Sequence, residues 1–459
     1  MPGGLVTDFY ELTMAASYLR RGMEGPATFS LFARRLPASR GFLVAAGLED
    51  CLAFLEGFSF EPDDIDYLRG TQGFDEATLQ ALRDMRFTGD VWAVPEGSVL
   101  FADEPFLEVT APIAEAQLVE TYLLNQITFQ TTVASKAARC VLAAHGRDLV
   151  DFSFRRTHGI EAGIAVARAS AIAGFRATSN VEAARLFGLL AAGTMAHSYV
   201  QAFPTGVEAF RAFAQDFPDR TTFLVDTFDT PAGVRAAVRV IRELGLTERL
   251  AVRLDSGDLG ALARETRRIL VAAGLPSVRI LASGGLDEFD IEELLGGGAP
   301  IDAFGVGTKM GVSADAASLD SAYKLVQYGD RPVLKLSPGK ATAPSPKQVF
   351  RSAGMRDVIA LRSEAPPPGA RALLEPVMVR GRRARSPETI AAARDRLEAD
   401  LALLPAEARR LRSPQAPGAR FSDSLTDLTN VVRRRAGASA DLVLPDSLPP
   451  APPVARPAR

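Results

Sequence analysis

Between residues 221 and 309 the chain repeats one scheme: a short run of Val, Ile, Leu and Phe ends in Asp, Ser, Gly or Thr, and a helical pattern follows. The runs are TTFLVDTFDT, LAVRLDSGD, VRILASGG and IDAFGVGTK. Runs without polar alternation read as strands covered on both faces, as in a parallel sheet packed between helices. The helix predicted from Thr230 to Gly245 places Val234, Ala237, Val238 and Ile241 on one face, and the next, from Asp258 to Gly274, repeats this with Leu259, Leu262, Ile269 and Leu270. Units of roughly 25 to 30 residues predict a parallel α/β architecture, either an open doubly wound sheet or a (β/α) barrel. The barrel is favoured, because polar residues gather at the C-terminal end of each run and no GxGxxG follows a first strand.

Upstream, residues 7 to 21 read as a helix with Thr7 as N-cap, a stripe of Leu12, Ala15, Ala16 and Leu19, and Gly22 as terminator. ATFSLFARRL, VWAVPEGSVL and PFLEVTAPI read as strands, with a helix over GLEDCLAFLEGF. Residues 115 to 145 form a long, mostly apolar helical stretch suited to lie between domains. The expected organisation is an N-terminal α/β domain over 1–115, a barrel over 116–338, a segment over 339–440 that returns to the first domain, and a disordered proline-rich tail over 441–459. Within the returning segment, GKATAPSPKQVFR reads as a loop and strand, and 387 to 412 as a charged helix.

With 459 residues, 47% of them apolar, the chain can bury one large core or two moderate ones, and two is the expectation. A net charge of -3 gives no general attraction for nucleic acid. The start, MPGGLVTDFYELTMAASYLRRG, lacks the form of a signal peptide, and apolar runs elsewhere are interrupted well before a membrane span, so a cytoplasmic chain is expected. Cys51 and Cys140 stand apart without metal-ligand spacing, as buried thiols of a reducing compartment would.

Several residues carry candidate chemistry. In SFRRTHG, Arg155 and Arg156 at a strand end offer forked donors for phosphate or carboxylate, or else form a solvated surface pair. ASGGLDE and GVGTK place glycines after consecutive strands, where backbone N–H groups approach a phosphate, although tight turns need glycine anyway. In RLDSGD, Arg253 suits an anion and Asp255 a ribose diol or Mg²⁺, while Ser256 or Asp258 caps a helix. His197, one of three histidines, sits where a small-residue strand turns into a helix; Asp226 or Asp229 could fix its tautomer, although a lone histidine is more often structural.

Taken together, TDFYELTMAASY, DFSFRRTHG, GFRATSNVEAAR, GTMAHSYVQAF, LVDTFDT, VRLDSGDL, ILASGGLDE, FGVGTKM, AYKLV and KLSPGKAT resemble the nicotinate phosphoribosyltransferase family to about residue 435. The resemblance implies an irregular (β/α) barrel beside an N-terminal α/β domain completed by C-terminal residues, assembled as a homodimer with shared sites. It implies that nicotinate and 5-phosphoribosyl-1-pyrophosphate are joined with Mg²⁺, coupled to ATP as co-substrate. In that frame Tyr10 comes from the neighbouring subunit to stack on the pyridine opposite Phe152, and Arg155 holds the phosphoribosyl group. Asp255 takes the ribose hydroxyls, the backbone around Gly284, Gly285, Gly305 and Gly307 takes the 5'-phosphate, and Ser283 and Thr308 join the substrate-binding set. Arg253 lies near the pyridine carboxylate, and His197 is phosphorylated by ATP with Asp226 as its hydrogen-bonded orienter.

Ser179 stands where nicotinamide-specific relatives carry an aspartate, which favours a carboxylate substrate over an amide. Asp320, Ser321 and Ala322 replace the glycines usual before YKLV, and THG after the paired arginines is a variant that leaves His158 without a role. The competing readings are quinolinate or nicotinamide phosphoribosyl transfer, a barrel aldolase using Lys309 or Lys324, and a non-catalytic phosphoribosyl-ligand sensor.

Overall fold

A computed structural model describes residues 3–70, 73–337 and 342–441. The proline-rich tail from residue 442 and the Pro338–Ala341 part of KLSPGKAT lie outside them.

The predicted parallel sheet is present. Its seven strands are ordered Leu190–Ala191, Ala177–Thr178, Asp148–Asp151, Ala303–Val306, Arg279–Ala282, Ala251–Leu254 and Thr222–Leu224, all parallel. The sheet curls as a half-barrel whose edge strands, Leu190–Ala191 and Thr222–Leu224, are not joined to each other. Between them in sequence run the segment bearing His197 and the helix Gly206–Asp216. The crossover helix Thr230–Leu244 buries Val234, Ala237, Val238 and Ile241 as its stripe requires, is capped by Asp229 and ends at Gly245 in the left-handed region. Leu259–Ala272 follows the same plan with Asp258 as cap.

The second core lies under an antiparallel sheet in which Ser321–Tyr328, Pro26–Ala33, Pro105–Pro112, Asp90–Ala93 and Glu375–Val379 are successive neighbours. Glu375–Val379 is the returning C-terminal strand. Ser321–Tyr328 also belongs here, so the chain leaves the barrel well before residue 338. VWAVPEGSVL is two strands, Asp90–Ala93 and Val99–Leu100: Pro95 cannot donate to a ladder, and Gly97 is left-handed where a Cβ would fall 1.9 Å from the Ala393 carbonyl. The N-terminal helix runs Phe9–Arg20 with Asp8, not Thr7, at the N-cap, because the Thr7 hydroxyl is bound to the Glu11 carboxylate.

Helices Ile113–Leu118 and Glu120–Ala144 form the long central element, broken at Val119. Leu123 and Ile127 enter the core of the antiparallel sheet, whereas Val133, Ala137, Cys140 and Ala144 enter that of the half-barrel. Lys136 on this helix pairs with Glu288 (2.5 Å) and Asp315 (2.9 Å), Arg139 pairs with Glu288 (2.9 Å), and Arg40 joins Asp315 (2.5 Å). These pairs tie the loop after the first strand to the half-barrel. In the C-terminal segment, Ile390–Leu403 packs on Ile160–Ala173 of the half-barrel, so this segment covers both cores.

Candidate active site

All seven parallel strands end on one face, and that alignment gathers the candidate residues. Phe152, Phe154, Arg155, Ser179, His197, Arg253 and Asp255 line a cleft of about 380 Å³ there. A hollow of about 430 Å³ between the central helix and residues 311–317 includes His158 but none of the candidate catalytic residues.

Phe152 leaves its strand with its amide bonded to the Val306 carbonyl (2.8 Å). Its ring lies over Gly305, where a Cβ would come within 2.5 Å of two ring carbons. Gly305 thus makes room for the aromatic floor of the cleft from inside the strand Ala303–Val306, a different part from the phosphate loop read from sequence. The Arg253 guanidinium stands 5.4 Å from the Phe152 ring centre.

Arg253 is held by four neighbours: Nε donates to Ser283 Oγ (2.8 Å), Nη1 to Thr194 Oγ1 (3.0 Å) and the Met195 carbonyl (3.5 Å), and Nη2 to Asp255 Oδ1 (2.7 Å). With five N–H donors, the guanidinium keeps capacity toward the cleft. Ser283 also donates to Asp255 Oδ1. Burial pushes the Asp255 carboxyl up, but hydrogen bonds from Ser283 and Arg253, with the charges of Arg253 and His197, hold it below its ordinary value. The group is therefore an anion and a free acceptor through Oδ2, which faces His197 Nε2 at 3.7 Å.

Asp226 is not the partner of His197. Its Oδ2 accepts from the Asp255 amide (2.9 Å) and Ser256 Oγ (2.7 Å), which shapes the turn carrying Asp255. Thr227 Oγ1 stands at 3.1 Å from His197 Nδ1 instead. Thr194 and Thr227, like the buried Asp151, were missed by sequence reasoning. Asp151 accepts from Ser153 N (2.9 Å), Ser153 Oγ (2.5 Å) and Thr178 Oγ1 (2.8 Å), locking together the strand ends that bear Phe152 and Ser179. Burial raises its pKa despite these bonds. The available signal was shared by all three: a polar side chain at or just beyond the C-terminal end of a strand.

Arg155 and Arg156 are exposed on a short 3-10 turn. Gly284 and Gly285 are left-handed and border a neighbouring hollow with Gly257 and Asp258, not the cleft itself. Gly284 has no room for a side chain, since a Cβ would sit 2.0 Å from the Asp255 carbonyl. Gly307 and Thr308 follow the next strand, with Thr308 exposed. Tyr10 is 48% exposed on the N-terminal helix and is absent from the cleft lining. Burial and the charges of Glu120 and Glu11 push its phenol pKa up. Lys309 is paired with Asp290 (2.8 Å) and Asp287 (3.5 Å). Burial alone would lower its pKa, but those carboxylates raise it, the opposite of what a Schiff-base lysine needs. Lys324 donates to the Tyr323 carbonyl (2.8 Å).

Residues 5–128 match the model of the nicotinate phosphoribosyltransferase N-terminal domain, and residues 148–331 match that of the nicotinate phosphoribosyltransferase family. A nicotinate phosphoribosyltransferase of Mycobacterium tuberculosis is 49% identical over 415 residues, covering 89% of each chain. The chain belongs to the nicotinate phosphoribosyltransferase family. A Bacillus subtilis nicotinate phosphoribosyltransferase is 41% identical over 76% of this chain and 72% of its own. The crystal structure of human nicotinic acid phosphoribosyltransferase superposes with a TM-score of 0.83 at 29% identity, over 93% of this chain and 99% of that one. The shared fold spans nearly the whole chain. No helix among the described residues is long and apolar enough to cross a membrane.

Proposed function

We propose that the cleft joins nicotinate to 5-phosphoribosyl-1-pyrophosphate, forming nicotinate mononucleotide and pyrophosphate in NAD salvage. The observation that carries this reading is the meeting of Phe152, Arg155, Ser179, His197, Arg253 and Asp255 in one cleft of a chain from this family. The pyridine ring stacks on Phe152, and its carboxylate takes hydrogen bonds from Ser179 and the remaining Nη2–H of Arg253. Arg155 contacts the phosphoribosyl group, and Asp255 accepts from the ribose hydroxyls. The ring nitrogen attacks the anomeric carbon; the C–N bond forms as the C–O bond to pyrophosphate breaks, and pyrophosphate leaves with that electron pair. Alignment of the two reactants is the main contribution of the cleft.

Mg²⁺ fits as an ion carried on the pyrophosphate, since this ion binds substrate phosphates with few protein ligands and neutralises the leaving group. Among the described residues no set of three or more His, Cys, Asp or Glu side chains is gathered to hold a metal. ATP acts as co-substrate in an ATP-coupled ligation: its γ-phosphoryl passes to His197 with ADP as leaving group, and water later releases phosphate. The working unit is a homodimer in which Tyr10 of the partner subunit covers the pyridine. Support comes from the exposed Val6, Phe9 and Tyr10 at and just before the N-terminal helix. Buried free thiols at Cys51 and Cys140 suit the cytoplasm.

Ser179 distinguishes this reading from nicotinamide transfer, and the ATP-linked His197 from quinolinate transfer. Purified protein with nicotinate, 5-phosphoribosyl-1-pyrophosphate and Mg²⁺ should yield nicotinate mononucleotide, and more with ATP. Product unchanged by ATP would remove the coupling, and no pyrophosphate release from any pyridine would leave a phosphoribosyl-ligand sensor.

A further inference from the structure

His197 opens a short helix, His197–Gln201, with its side chain 41% exposed. Two groups face its ring from adjacent strands of the half-barrel. Thr227 follows the strand Thr222–Leu224 and reaches Nδ1 at 3.1 Å; Asp255 follows the neighbouring strand Ala251–Leu254 and stands 3.7 Å from Nε2. Among the described residues the Thr227 hydroxyl has no other hydrogen bond, so nothing competes for it. Asp226, one residue earlier, gives its Oδ2 to the turn at Asp255 and Ser256, and its buried Oδ1 has no hydrogen bond to His197.

We propose that Thr227 is the positioning residue of His197: its Oγ1 accepts from Nδ1–H and holds the ring with the bare Nε2 toward the cleft. The direction of the bond follows from the partners. Asp255, 3.7 Å from Nε2, is beyond hydrogen-bond reach, and a nucleophilic nitrogen needs its lone pair, so Nε2 is bare, Nδ1 bears the proton of the neutral ring, and the Thr227 hydroxyl oxygen accepts it. Threonine is stiff about χ1, and the strand pairing fixes the distance between the two partners. A hydroxyl at Nδ1 also differs from a carboxylate there. With Asp226 on Nδ1 and Asp255 on Nε2, the ring would lie between two negative charges and be held as imidazolium, which has no lone pair to attack with. Thr227 orients the ring without that second charge.

The inference rests on the assignment of His197 to the ATP-linked step, and its test separates the two. Nitrogen NMR of the side chains of three histidines, with His197→Ala to assign the signal, reads the tautomer directly. Wild type should show His197 as the Nδ1–H form, Thr227→Val a mixture of tautomers, and Thr227→Ser the wild-type pattern. In the same proteins Thr227→Val should lower kcat for ATP hydrolysis about tenfold with little change in KM for ATP, and Thr227→Ser should recover most of it. An unaltered His197 spectrum in Thr227→Val overturns the proposal, as does a Ser variant as impaired as the Val variant. If wild type hydrolyses no ATP, the ATP-linked reading falls, and the nitrogen spectra alone decide the role of Thr227.

Discussion

Gly305→Ala adds one methyl group beneath the aromatic floor of the cleft. The new Cβ would lie 2.5 Å from Cδ2 and Cε2 of Phe152 and 3.3 Å from Ser283 Cβ. Non-bonded carbons settle at about 3.5 to 4 Å, so the ring must move by roughly 1 Å. The backbone at Gly305 is not left-handed, so alanine brings no conformational strain and the effect is steric alone. Overpacking of this kind costs about 1–3 kcal/mol, and a ring displaced by about 1 Å no longer stacks where the pyridine is needed. If that full cost appears in transition-state binding, kcat/KM for nicotinate falls roughly 5- to 150-fold. Steady-state kinetics of product formation, with a thermal melt alongside, measures both consequences. Gly296→Ala is the control, because no atom lies within 4 Å of its Cβ and it ends a helix far from the cleft in sequence. A Gly305→Ala enzyme within twofold of wild type in kcat/KM and with an unchanged melt would refute the claim that Phe152 depends on this glycine.

His197→Ala should abolish ATP hydrolysis and leave some product formation without ATP; undiminished hydrolysis would remove His197 from the mechanism. Glu288→Gln takes the shared negative charge from buried Lys136 and Arg139, and a loss of about 3–5 kcal/mol is expected in urea unfolding, against none if the cluster is dispensable. Glu11 is pushed up to about 7 from 4.5, first by burial, against hydrogen bonds from Thr7 and Thr121. The folded chain therefore keeps a proton that the unfolded chain releases across that interval, and stability falls as pH rises through it, by at most about 3 kcal/mol. Glu11→Gln should flatten this slope between pH 5 and 8, and equal slopes in the two proteins would contradict the assignment.

The strand and helix alternation was legible from residue 221 onward because its strands are mostly apolar runs and the helices Thr230–Leu244 and Leu259–Ala272 each carry their own Asp cap and apolar stripe. Where the half-barrel stays open was not, since the edge strand Leu190–Ala191 is only two residues long and exposed. The site was legible as positions and less so as contacts. Asp226 and Thr227 are adjacent in sequence, and only their orientation assigns the first to the Asp255 turn and the second to His197. Gly305 was read through the need of a phosphate for bare backbone, but its actual neighbour is a side chain 153 positions earlier. Asp320 receives hydrogen bonds from Arg34 (3.1 Å) and Arg35 (2.9 Å), partners that no local pattern reveals.

The central claim is that this cleft takes a pyridine with one carboxylate. Competition among nicotinate, nicotinamide and quinolinate for 5-phosphoribosyl-1-pyrophosphate, read as the ratio of kcat/KM values for each mononucleotide, tests it most directly. The account predicts at least about a hundredfold preference for nicotinate, because the alternatives leave Ser179 and Arg253 mismatched or bring a second charge without a partner. Equal or better turnover of nicotinamide or quinolinate would contradict it.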